Sequence, residues 1–310
     1  MHNENMEVLK DMPLAQFTTF KIGGAARYFT EVQNLREIRE AIKFSRERSL
    51  PCHVIAGGSN LLVPDEGLDA HVIRIISSTY NIKESAIEAE AGCDLFTLIR
   101  ISAGAGLSGW EKLAGIPGTL GGAIRGNAGA FNTEIKDVLL ELNALNIETN
   151  ELRRFLKSEC DFSYRHSFFK QHPEWIIISA KLSLVLGDRH ASEIIIMQTI
   201  AERERRHLQN IRAAGSFFMN PIAPREIVRL FEEEKKMQSR GDRVPAGWLI
   251  EKAGMKGARV GGAIASYQHA DYIVNDGNAT SEDVLHLSNI IKQKVRVHSG
   301  VTLLEEVMIL

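Results

Sequence analysis

The sequence predicts a multidomain α+β protein, and three observations lead to that prediction. The chain has 310 residues, which is long for one compact core and sufficient for two or three domains. Short β-like runs alternate with helical periods, as where "NLREIREAIKFSRERS" is followed by the apolar run "CHVIAGG". The long charged segment "ASEIIIMQTIAERERRHLQNI", near residues 190–210, separates regions of different texture, and we place a domain boundary there.

Apolar periodicity and capping residues place the individual elements. Strands are predicted where apolar runs or partial alternation occur, in "CHVIAGG", "HVIRII", "AIEAEAG", "VLLELNALNIE" and "WIIISAKLSLVL". Asp94 stands where it can cap the helix that follows it, and Pro224 suits the first turn of the helix "REIVRLFEEEKK". Thr280 and Asp283 occupy capping-box positions at the start of another helix. Helices mixed with short strands therefore predict an α+β region after the boundary.

Composition and charge exclude several classes of protein. Apolar residues make up 44% of the chain, which is average for a folded protein. The formal net charge is -2, so the chain lacks the excess of basic residues that binds nucleic acid or an anionic membrane. The first residues, "MHNENMEVLKDM", lack the basic and apolar regions of a secretory signal. Cys52, Cys93 and Cys160 are odd in number and far apart. We therefore expect a cytoplasmic protein with buried free thiols and no nucleic-acid or membrane partner. We also expect a monomer and no metal site.

The segment "GAGLSG", residues 104–109, matches the dinucleotide fingerprint G-x-G-x-x-G, but its context argues against that function. The fingerprint binds a pyrophosphate only between a strand and a full helix. Here the preceding residues 94–102 have a helical period, and "GIPG" interrupts any helix that follows. We interpret the segment as the end of a helix and a turn. P-loop, kinase and hydrolase-elbow patterns are also missing from the sequence.

Two other glycine-rich segments are better candidates for a binding function. "AGGSNLLV", residues 56–63, follows a predicted strand and offers unobstructed backbone N–H groups for a pyrophosphate, with Ser59 and Asn60 as further donors. "GIPGTLGGAIRGNAGAF", residues 115–131, is a longer loop with Asn127 in an otherwise apolar lining, and its length suits something larger than a phosphate. One such loop is more typical of a set of tight turns, whereas two on one chain favour binding.

Three polar constellations lie downstream of the glycine-rich segments. "FSYRHSFF" holds Arg165 among aromatic residues, where an arginine usually pairs with a carboxylate or phosphate. "AAGSFFMNP" places Ser216 on a Gly-Ser turn before two phenylalanines. "LLEEVMIL" has Glu305 and Glu306 in an apolar strand, where alternation lets only one of them face the interior. Each alone is more typical of a structural role, as an ion pair, a turn serine or an edge-strand acid.

Taken in order, these segments resemble the UDP-N-acetylenolpyruvoylglucosamine reductase (MurB) family over nearly the whole chain. The segments are "TTFKIGG", "GGSNLL", "AGIPGTLGGAIRGNAGAF", "FSYRHSFF", "AGSFFMNP", "AGWLIEKAGMKGARVGGA", "HADYIVNDG" and the final "EEV". The resemblance implies a two-part FAD-binding module of the vanillyl-alcohol-oxidase (PCMH) type and a C-terminal α+β substrate-binding domain. We expect these regions at residues 1–75, 76–195 and 196–310.

The resemblance also implies a reaction in peptidoglycan precursor synthesis. FAD is held noncovalently in this family, and NADPH is the reductant. The substrate is the enolpyruvyl ether of UDP-N-acetylglucosamine, and the product is UDP-N-acetylmuramate. Hydride arriving at the terminal enol-ether carbon pushes negative charge towards the substrate carboxylate, and the adjacent carbon then needs a proton. The chemistry therefore requires groups that stabilise an enolate and a positioned proton donor.

The resemblance assigns roles to particular residues. Arg165 matches the active-site arginine, Ser216 the proton donor, and Glu306 the glutamate that polarises the substrate carboxyl group. The FAD contacts are expected in both glycine-rich segments. Those around the pyrophosphate are Gly57, Gly58, Ser59 and Asn60, and those along the flavin and its chain are Gly118, Thr119, Gly121, Gly122, Asn127, Gly129 and Ala130.

The sequence departs from the family pattern in places and leaves two alternatives open. Met219 stands where relatives often have a lysine, which leaves Arg225, Lys256 or Arg259 as substitute cations. The spacing from Arg165 to Ser216 matches the compact type of the family, without the extra tyrosine loop.

A related FAD-dependent oxidase and a non-catalytic sugar-nucleotide-binding protein of the same fold are the alternative functions.

Overall fold

A computed structural model of the chain describes residues 6–206 and 211–310, and its mixed helices and strands confirm the predicted α+β class. The helices are α1 (Leu35–Glu47), α2 (Leu95–Gly104), α3 (Leu120–Gly126), α4 (Phe168–Gln171), α5 (Arg189–Arg205), α6 (Arg225–Lys235), α7 (Ala246–Lys252) and α8 (Ser281–Ser299). The strands are β1 (Leu9–Pro13), β2 (Ala25–Val32), β3 (Cys52–Ile55), β4 (Leu61–Leu62), β5 (Leu68–Ile75), β6 (Tyr80–Lys83), β7 (Ala86–Glu90), β8 (Leu107–Ser108), β9 (Gly129–Ala130), β10 (Thr133–Glu134), β11 (Leu139–Asn146), β12 (Leu152–Leu156), β13 (Trp175–Ser183), β14 (Val185–Leu186), β15 (Arg259–Val260), β16 (Ala263–Ala265), β17 (Ile273–Asn275) and β18 (Met308–Ile309).

Local signals in the sequence set several element boundaries as predicted. The Asp94 carboxylate caps α2 by accepting a hydrogen bond of 2.7 Å from the Thr97 N–H. Thr280 and Asp283 form the predicted capping box of α8, and Pro224 stands at the N-cap of α6. "GAGLSG" is, as interpreted, the end of α2 and a turn into β8. The charged segment forms α5 up to Arg205. Residues 207–210, which the prediction also placed in this helix, lie outside the described residues.

The described chain folds into two compact units, the first of which comprises Met1–Met12, Ala26–Gly58 and Leu68–Glu204. One sheet of unit 1 has the strand order β1-β2-β5-β3, and β5 runs parallel to both β2 and β3. Ile38 and Ile42 of α1 are buried in a small core with strand residues. This arrangement places the first glycine-rich segment directly after β3, at the carboxyl end of a parallel strand.

A second sheet in unit 1 is antiparallel and supports the longer glycine-rich segment. Its strand order is β12-β11-β13-β7-β6. The largest core of the unit includes residues of β7, β11 and β13 together with Leu120 and Ile124 of α3. Trp110 is fully buried there, and its indole N–H donates to the Ser102 hydroxyl at 2.8 Å. The α3 helix is thus fixed by core packing on one side.

Unit 2 is assembled from Pro13–Ala25, Ser59–Gly67 and Arg205–Leu310. Strands β15, β16 and β17 form an antiparallel sheet, and β18 pairs in parallel with β4. Its core joins residues of α6, α7 and α8 to Phe20, Ile22 and Leu62 from the two early segments. The division into regions at residues 1–75, 76–195 and 196–310 stays a prediction.

The cysteines and the helices bear on two further expectations. Cys52, Cys93 and Cys160 are free thiols, and Cys93 and Cys160 are buried as predicted, whereas Cys52 is only partly buried. Burial raises the pKa of Cys93 to about 11 and that of Cys160 to about 12. These two thiols are therefore protonated and poorly nucleophilic at neutral pH.

None of the helices in residues 6–206 and 211–310 combines the length and apolar character that crossing a membrane requires.

Candidate active site

The residues expected to bind FAD and substrate fall into two sets, one in each unit. Gly57, Gly58, residues 118–130 and Arg165 lie in unit 1. Ser59, Asn60, Ser216 and Glu306 lie in unit 2.

The second glycine-rich segment contains a helix, so the prediction of a continuous loop was wrong for residues 120–126. Thr119 begins the helix by accepting a hydrogen bond from the Gly122 N–H at 3.4 Å, and Asn127 ends it in the left-handed conformation, at φ 44°. Leu120 and Ile124 are fully buried. Core packing and two capping residues therefore overcome the low helix propensity of the glycines.

Main chain packs against main chain where the two glycine-rich segments meet in unit 1. A Cβ atom on Gly57 would lie 2.9 Å from the Gly118 Cα, and one on Gly121 would lie 2.7 Å from the Ala91 Cβ. Neither distance leaves room for a side chain. Gly118 also has φ 118°, a conformation that only glycine adopts readily. Two stretches of bare backbone thus lie side by side, and such a surface fits an extended nucleotide cofactor.

Asn127 connects the longer glycine-rich segment to the turn that carries Arg165. Its side chain is completely buried, and Nδ2 donates a hydrogen bond of 2.8 Å to the Ser163 carbonyl oxygen. The Lys136 N–H donates to Oδ1 at 3.4 Å. Because its amide is engaged within the protein, Asn127 acts on this region mainly by fixing the backbone around it.

Arg165 is held next to the end of the glycine-rich segment. Its Nη2 donates a hydrogen bond of 2.9 Å to the Gly129 carbonyl oxygen, and its guanidinium carbon lies 5.3 Å from the centroid of the Tyr164 ring. The residue has φ 55°, which is uncommon for a side chain other than glycine, asparagine or aspartate. Backbone strain of this kind is typical of functional positions.

In unit 2, the fold brings Asn60, Ser216 and Glu306 together from distant parts of the sequence. The Glu306 N–H donates to the Phe217 carbonyl oxygen at 2.8 Å, next to an antiparallel bridge between Phe218 and Glu305. The Asn60 side chain donates to the Glu306 carbonyl oxygen at 3.1 Å. These backbone contacts hold the Ser216 turn beside the segment that carries Glu306. The prediction of a strand over Glu305 and Glu306 was wrong, because Glu305 forms only an isolated bridge and β18 begins at Met308.

Glu305 and Glu306 have different surroundings. Lys292 forms an ion pair of 2.6 Å with the Glu305 carboxylate, and both side chains are partly exposed. This ion pair ties Glu305 to Lys292 of α8, which is a structural function. It leaves Glu306, next to the Phe217 and Phe218 backbone, as the acid that the family pattern selects.

The possible substitutes for a lysine at Met219 are in different environments. Lys256 pairs with Glu251 at 3.0 Å, and Arg259 pairs with Asp276 at 2.6 Å. Arg225 is the first residue of α6 and is exposed. Met219 itself donates its N–H to the Leu304 carbonyl oxygen, so its backbone extends the same ladder.

The sequence analysis did not single out Asp271, although the residue lies within the quoted segment "HADYIVNDG". Its side chain is 2% exposed and is hydrogen bonded to Ser216 and to the Phe218 N–H. Burial raises the pKa of the Asp271 carboxyl group well above its usual range. An acid next to the apolar run "YIV" was the available signal, since a buried carboxyl group requires partners.

Arg125 was also overlooked in the sequence. It lies on α3 within the glycine-rich segment and is half-buried, and burial lowers the pKa of its guanidinium group. Its carbonyl oxygen accepts a hydrogen bond of 2.7 Å from the Ser167 hydroxyl. A cation within a run of small residues was a signal that could have been followed.

Comparison with known proteins agrees with this architecture. A family model described as an FAD binding domain matches residues 26–155, and a model of the UDP-N-acetylenolpyruvoylglucosamine reductase C-terminal domain matches residues 206–310. The UDP-N-acetylenolpyruvoylglucosamine reductase of Carboxydothermus hydrogenoformans is 38% identical over 98% of this chain and 94% of its own length. That of Synechococcus sp. is 37% identical over 98% and 94% of the two chains. The crystal structure of the reductase from Thermus caldophilus superposes with a TM-score of 0.77 at 30% identity, covering 98% of each chain.

The FAD-binding module and the domain that follows it define the class of this protein as an FAD-dependent oxidoreductase. As predicted, the fold combines an FAD-binding domain with a C-terminal α+β domain. The similarity between this chain and its relatives extends over essentially the whole length of those relatives. The chain belongs to the UDP-N-acetylenolpyruvoylglucosamine reductase (MurB) family.

Proposed function

We propose that this chain reduces the enolpyruvyl ether of UDP-N-acetylglucosamine to UDP-N-acetylmuramate, with NADPH as the reductant, and that Arg165, Ser216 and Glu306 are its catalytic residues. The observation that supports the assignment most directly is the set of backbone contacts that joins the Ser216 turn to the segment that carries Glu306. It keeps a proton donor and an acid at fixed positions within one unit. The family membership gives the reaction, which supplies a peptidoglycan precursor.

FAD is the cofactor, and the two glycine-rich segments would hold it noncovalently. Gly57 and Gly118 fit this function because their main chains pack directly against each other and neither residue has a side chain that would cover the backbone. When bound and reduced by NADPH, FAD supplies the hydride for the substrate. The remaining proposed contacts are Gly58, Ser59, Asn60, Thr119, Gly121, Gly122, Gly129 and Ala130, with Asn127 holding the segment in place.

Arg165 and Glu306 would stabilise the charge that develops on the substrate. Hydride addition to the terminal carbon of the enol ether gives an enolate, whose charge lies on the substrate carboxylate. The Arg165 guanidinium group, oriented by its bond to Gly129, offers a cationic donor to that carboxylate. A Glu306 carboxyl group that shares a proton with the substrate carboxylate would also stabilise this negative charge. Such preorganised groups lower the barrier because they need no reorganisation during the reaction.

Ser216 would complete the reaction by donating a proton to the adjacent carbon. A hydroxyl group is a weak acid, but a carbanion-like carbon is basic enough to accept its proton when the geometry is correct. The Ser216 turn is fixed by the flanking N–H groups of Phe217 and Phe218, both of which donate to Asp271. The fixed backbone therefore supplies the position that this step needs.

Anaerobic spectra test the proposal in two steps. We expect NADPH to bleach the yellow protein and the enolpyruvyl sugar nucleotide to restore its colour. Colour that returns only with air would favour the alternative oxidase. A colourless protein that binds UDP-sugar would instead indicate a non-catalytic binding function.

The Ser216→Ala variant tests the assigned proton donor. We expect flavin reduction by NADPH to continue and reoxidation by substrate to fall by about 100-fold or more, because only the second step needs the proton. Ser158→Ala, at an exposed position in unit 1, is the control and should behave as wild type in both steps. Equal slowing of both steps in Ser216→Ala would make Ser216 a structural turn residue.

We also propose that the protein acts as a monomer in the cytoplasm. The three free thiols support a reducing compartment. Size-exclusion chromatography with light scattering checks the monomer, and a mass of twice 34.5 kDa would contradict it.

A further inference from the structure

A buried carboxyl group lies directly behind Ser216. The Asp271 side chain is 2% exposed, and its Oδ1 accepts a hydrogen bond of 3.0 Å from the Phe218 N–H. Its main-chain oxygen accepts a bond of 2.7 Å from the Phe217 N–H. The carboxyl group is also hydrogen bonded to the Ser216 hydroxyl. Asp271 thus contacts three consecutive residues of the Ser216 turn.

The surroundings of Asp271 favour its neutral form. Burial raises the pKa of the carboxyl group, and the charge of Glu306 raises it further, whereas the bonds from Phe218 and Ser216 act in the opposite direction. His269, two residues earlier, is held neutral because burial lowers its pKa. In the described part of the chain, no lysine or arginine forms an ion pair with Asp271. Burial without a cationic partner in the described chain, next to Glu306, therefore favours the neutral form of this carboxyl group.

A neutral Asp271 has a different effect on Ser216 than a charged one. A carboxylate would accept the Ser216 O–H, which would turn the hydroxyl proton away from any other acceptor. A neutral acid can donate instead, and because the Phe218 N–H occupies Oδ1, the proton is expected on Oδ2. The Ser216 oxygen then accepts that bond, and its own O–H is free to point elsewhere.

We propose that Asp271 is a positioning residue and proton relay for Ser216. As Ser216 donates its proton, its O–H bond breaks and a C–H bond forms from the electron pair on the substrate carbon. The Asp271 O–H bond breaks as a new O–H bond forms on Ser216, so no serine alkoxide accumulates. The Asp271 carboxylate regains a proton from water before the next turnover. This inference rests on the proposed function, because it assumes that Ser216 protonates the substrate.

The Asp271→Asn variant separates a relay from a structural anchor. The amide can still accept the Phe218 N–H and donate to the Ser216 oxygen, but it cannot give up a proton. We expect unchanged flavin reduction by NADPH and about 10- to 100-fold slower reoxidation by the enolpyruvyl substrate. Asp242→Asn is the matched control, because Asp242 is exposed and its φ of 55° suits asparagine equally well. It should match wild type in both steps.

The pH profile and the infrared spectrum give independent readouts. We expect wild-type reoxidation to slow as the pH rises through the Asp271 pKa, and the Asp271→Asn rate to lack that decline. The wild-type protein at pH 7 should show a protonated-carboxyl C=O band that is missing in Asp271→Asn. A variant with wild-type rate and pH profile, or a wild-type spectrum without that band, would overturn the relay.

Two outcomes separate failure of the relay from failure of the proposed function. If substrate does not reoxidise the wild-type flavin, the proposed function fails. If wild type turns over but its proton inventory in mixed H₂O and D₂O is linear, only one proton moves and the relay alone is wrong. The inventory uses the unaltered protein, so it decides the question even if Asp271→Asn does not fold. A curved inventory supports the relay.

Discussion

At the scale of single residues, Gly57 gives a direct test of the close contact between the glycine-rich segments. We expect Gly57→Ala to lower the melting temperature and to weaken FAD retention, because the added Cβ would lie 2.9 Å from the Gly118 Cα. Main chain cannot rotate away as a side chain can, so the cost should be about 1–3 kcal/mol. Thermal unfolding and the flavin absorbance that remains after gel filtration measure the two effects.

Gly104→Ala is the control for this substitution. Gly104 ends α2, and a Cβ there would meet nothing within 4 Å. Because alanine favours a helix over glycine, the variant should be as stable as wild type or more stable by up to about 1 kcal/mol. A Gly57→Ala protein with the stability and flavin content of Gly104→Ala would show that the contact is not constrained.

The sequence could predict residues whose function depends on their own motif, and it could not predict those defined by distant partners. Arg165, Ser216 and Glu306 were accessible because each lies in a short recognisable segment. Asp271 acquires its environment only when the chain near residue 271 pairs with the turn at 216–218. No local pattern encodes that pairing. The assigned catalytic functions stay predictions until the variants are measured.

At the scale of elements, strand β5 buries a histidine that joins three elements of unit 1. His71 is 0% exposed, and its ring nitrogens lie 2.7 Å from the Ser45 hydroxyl on α1 and 2.9 Å from the Thr30 hydroxyl on β2. Burial lowers its pKa to about 4. The folded state therefore favours the neutral ring, and protonation destabilises it.

This histidine predicts a specific loss of stability in mild acid. Its contribution is fully present above the ordinary pKa of about 6.5, and is lost as the pH falls from there towards 4. The shift corresponds to a loss of roughly 3 kcal/mol. We expect His71→Gln to be less stable at pH 7 and to lose less of its unfolding free energy between pH 7.5 and 4.5. Urea unfolding at several pH values measures the difference.

His190→Gln, on the exposed surface of α5, controls for the loss of any one histidine. It should keep the wild-type pH dependence, which also includes the carboxylates. If His71→Gln and wild type lost stability in parallel, the buried ring would not be the acid-sensitive group.

Among the elements, long apolar strands and capped helices were predictable, whereas α3 was not. Periodicity and a capping carboxylate are local properties, so β13 and the start of α2 could be read from the chain. The α3 helix depends on Leu120 and Ile124 reaching a core that other segments build. Tertiary packing therefore stabilises α3 as a helix although its glycines have a low helix propensity.

At the scale of the whole molecule, the composition of unit 2 makes a prediction about fragments. The fragment 206–310 coincides with the family model of the C-terminal domain, yet it lacks Phe20, Ile22 and Leu62. These three side chains are each at most 2% exposed in the unit 2 core. We expect the isolated fragment to show no cooperative thermal transition by circular dichroism.

Full-length Phe20→Ala is the companion measurement for the fragment. Removing this one buried ring should cost about 3–5 kcal/mol while leaving a cooperative transition. A sharp transition in the fragment would mean that residues 206–310 form a sufficient core alone. The early segments would then only cover a preformed unit.

The distribution of the unit 2 core along the chain also determines when it can form during synthesis. Phe20, Ile22 and Leu62 leave the ribosome well before their partners in residues 211–310 exist. At about 5–20 residues per second, the time between the synthesis of Phe20 and that of residue 211 is roughly 10–40 s. During that time their apolar side chains are exposed on the nascent chain, where chaperones bind. The unit 2 core is therefore completed only once residues 211–310 have been synthesised.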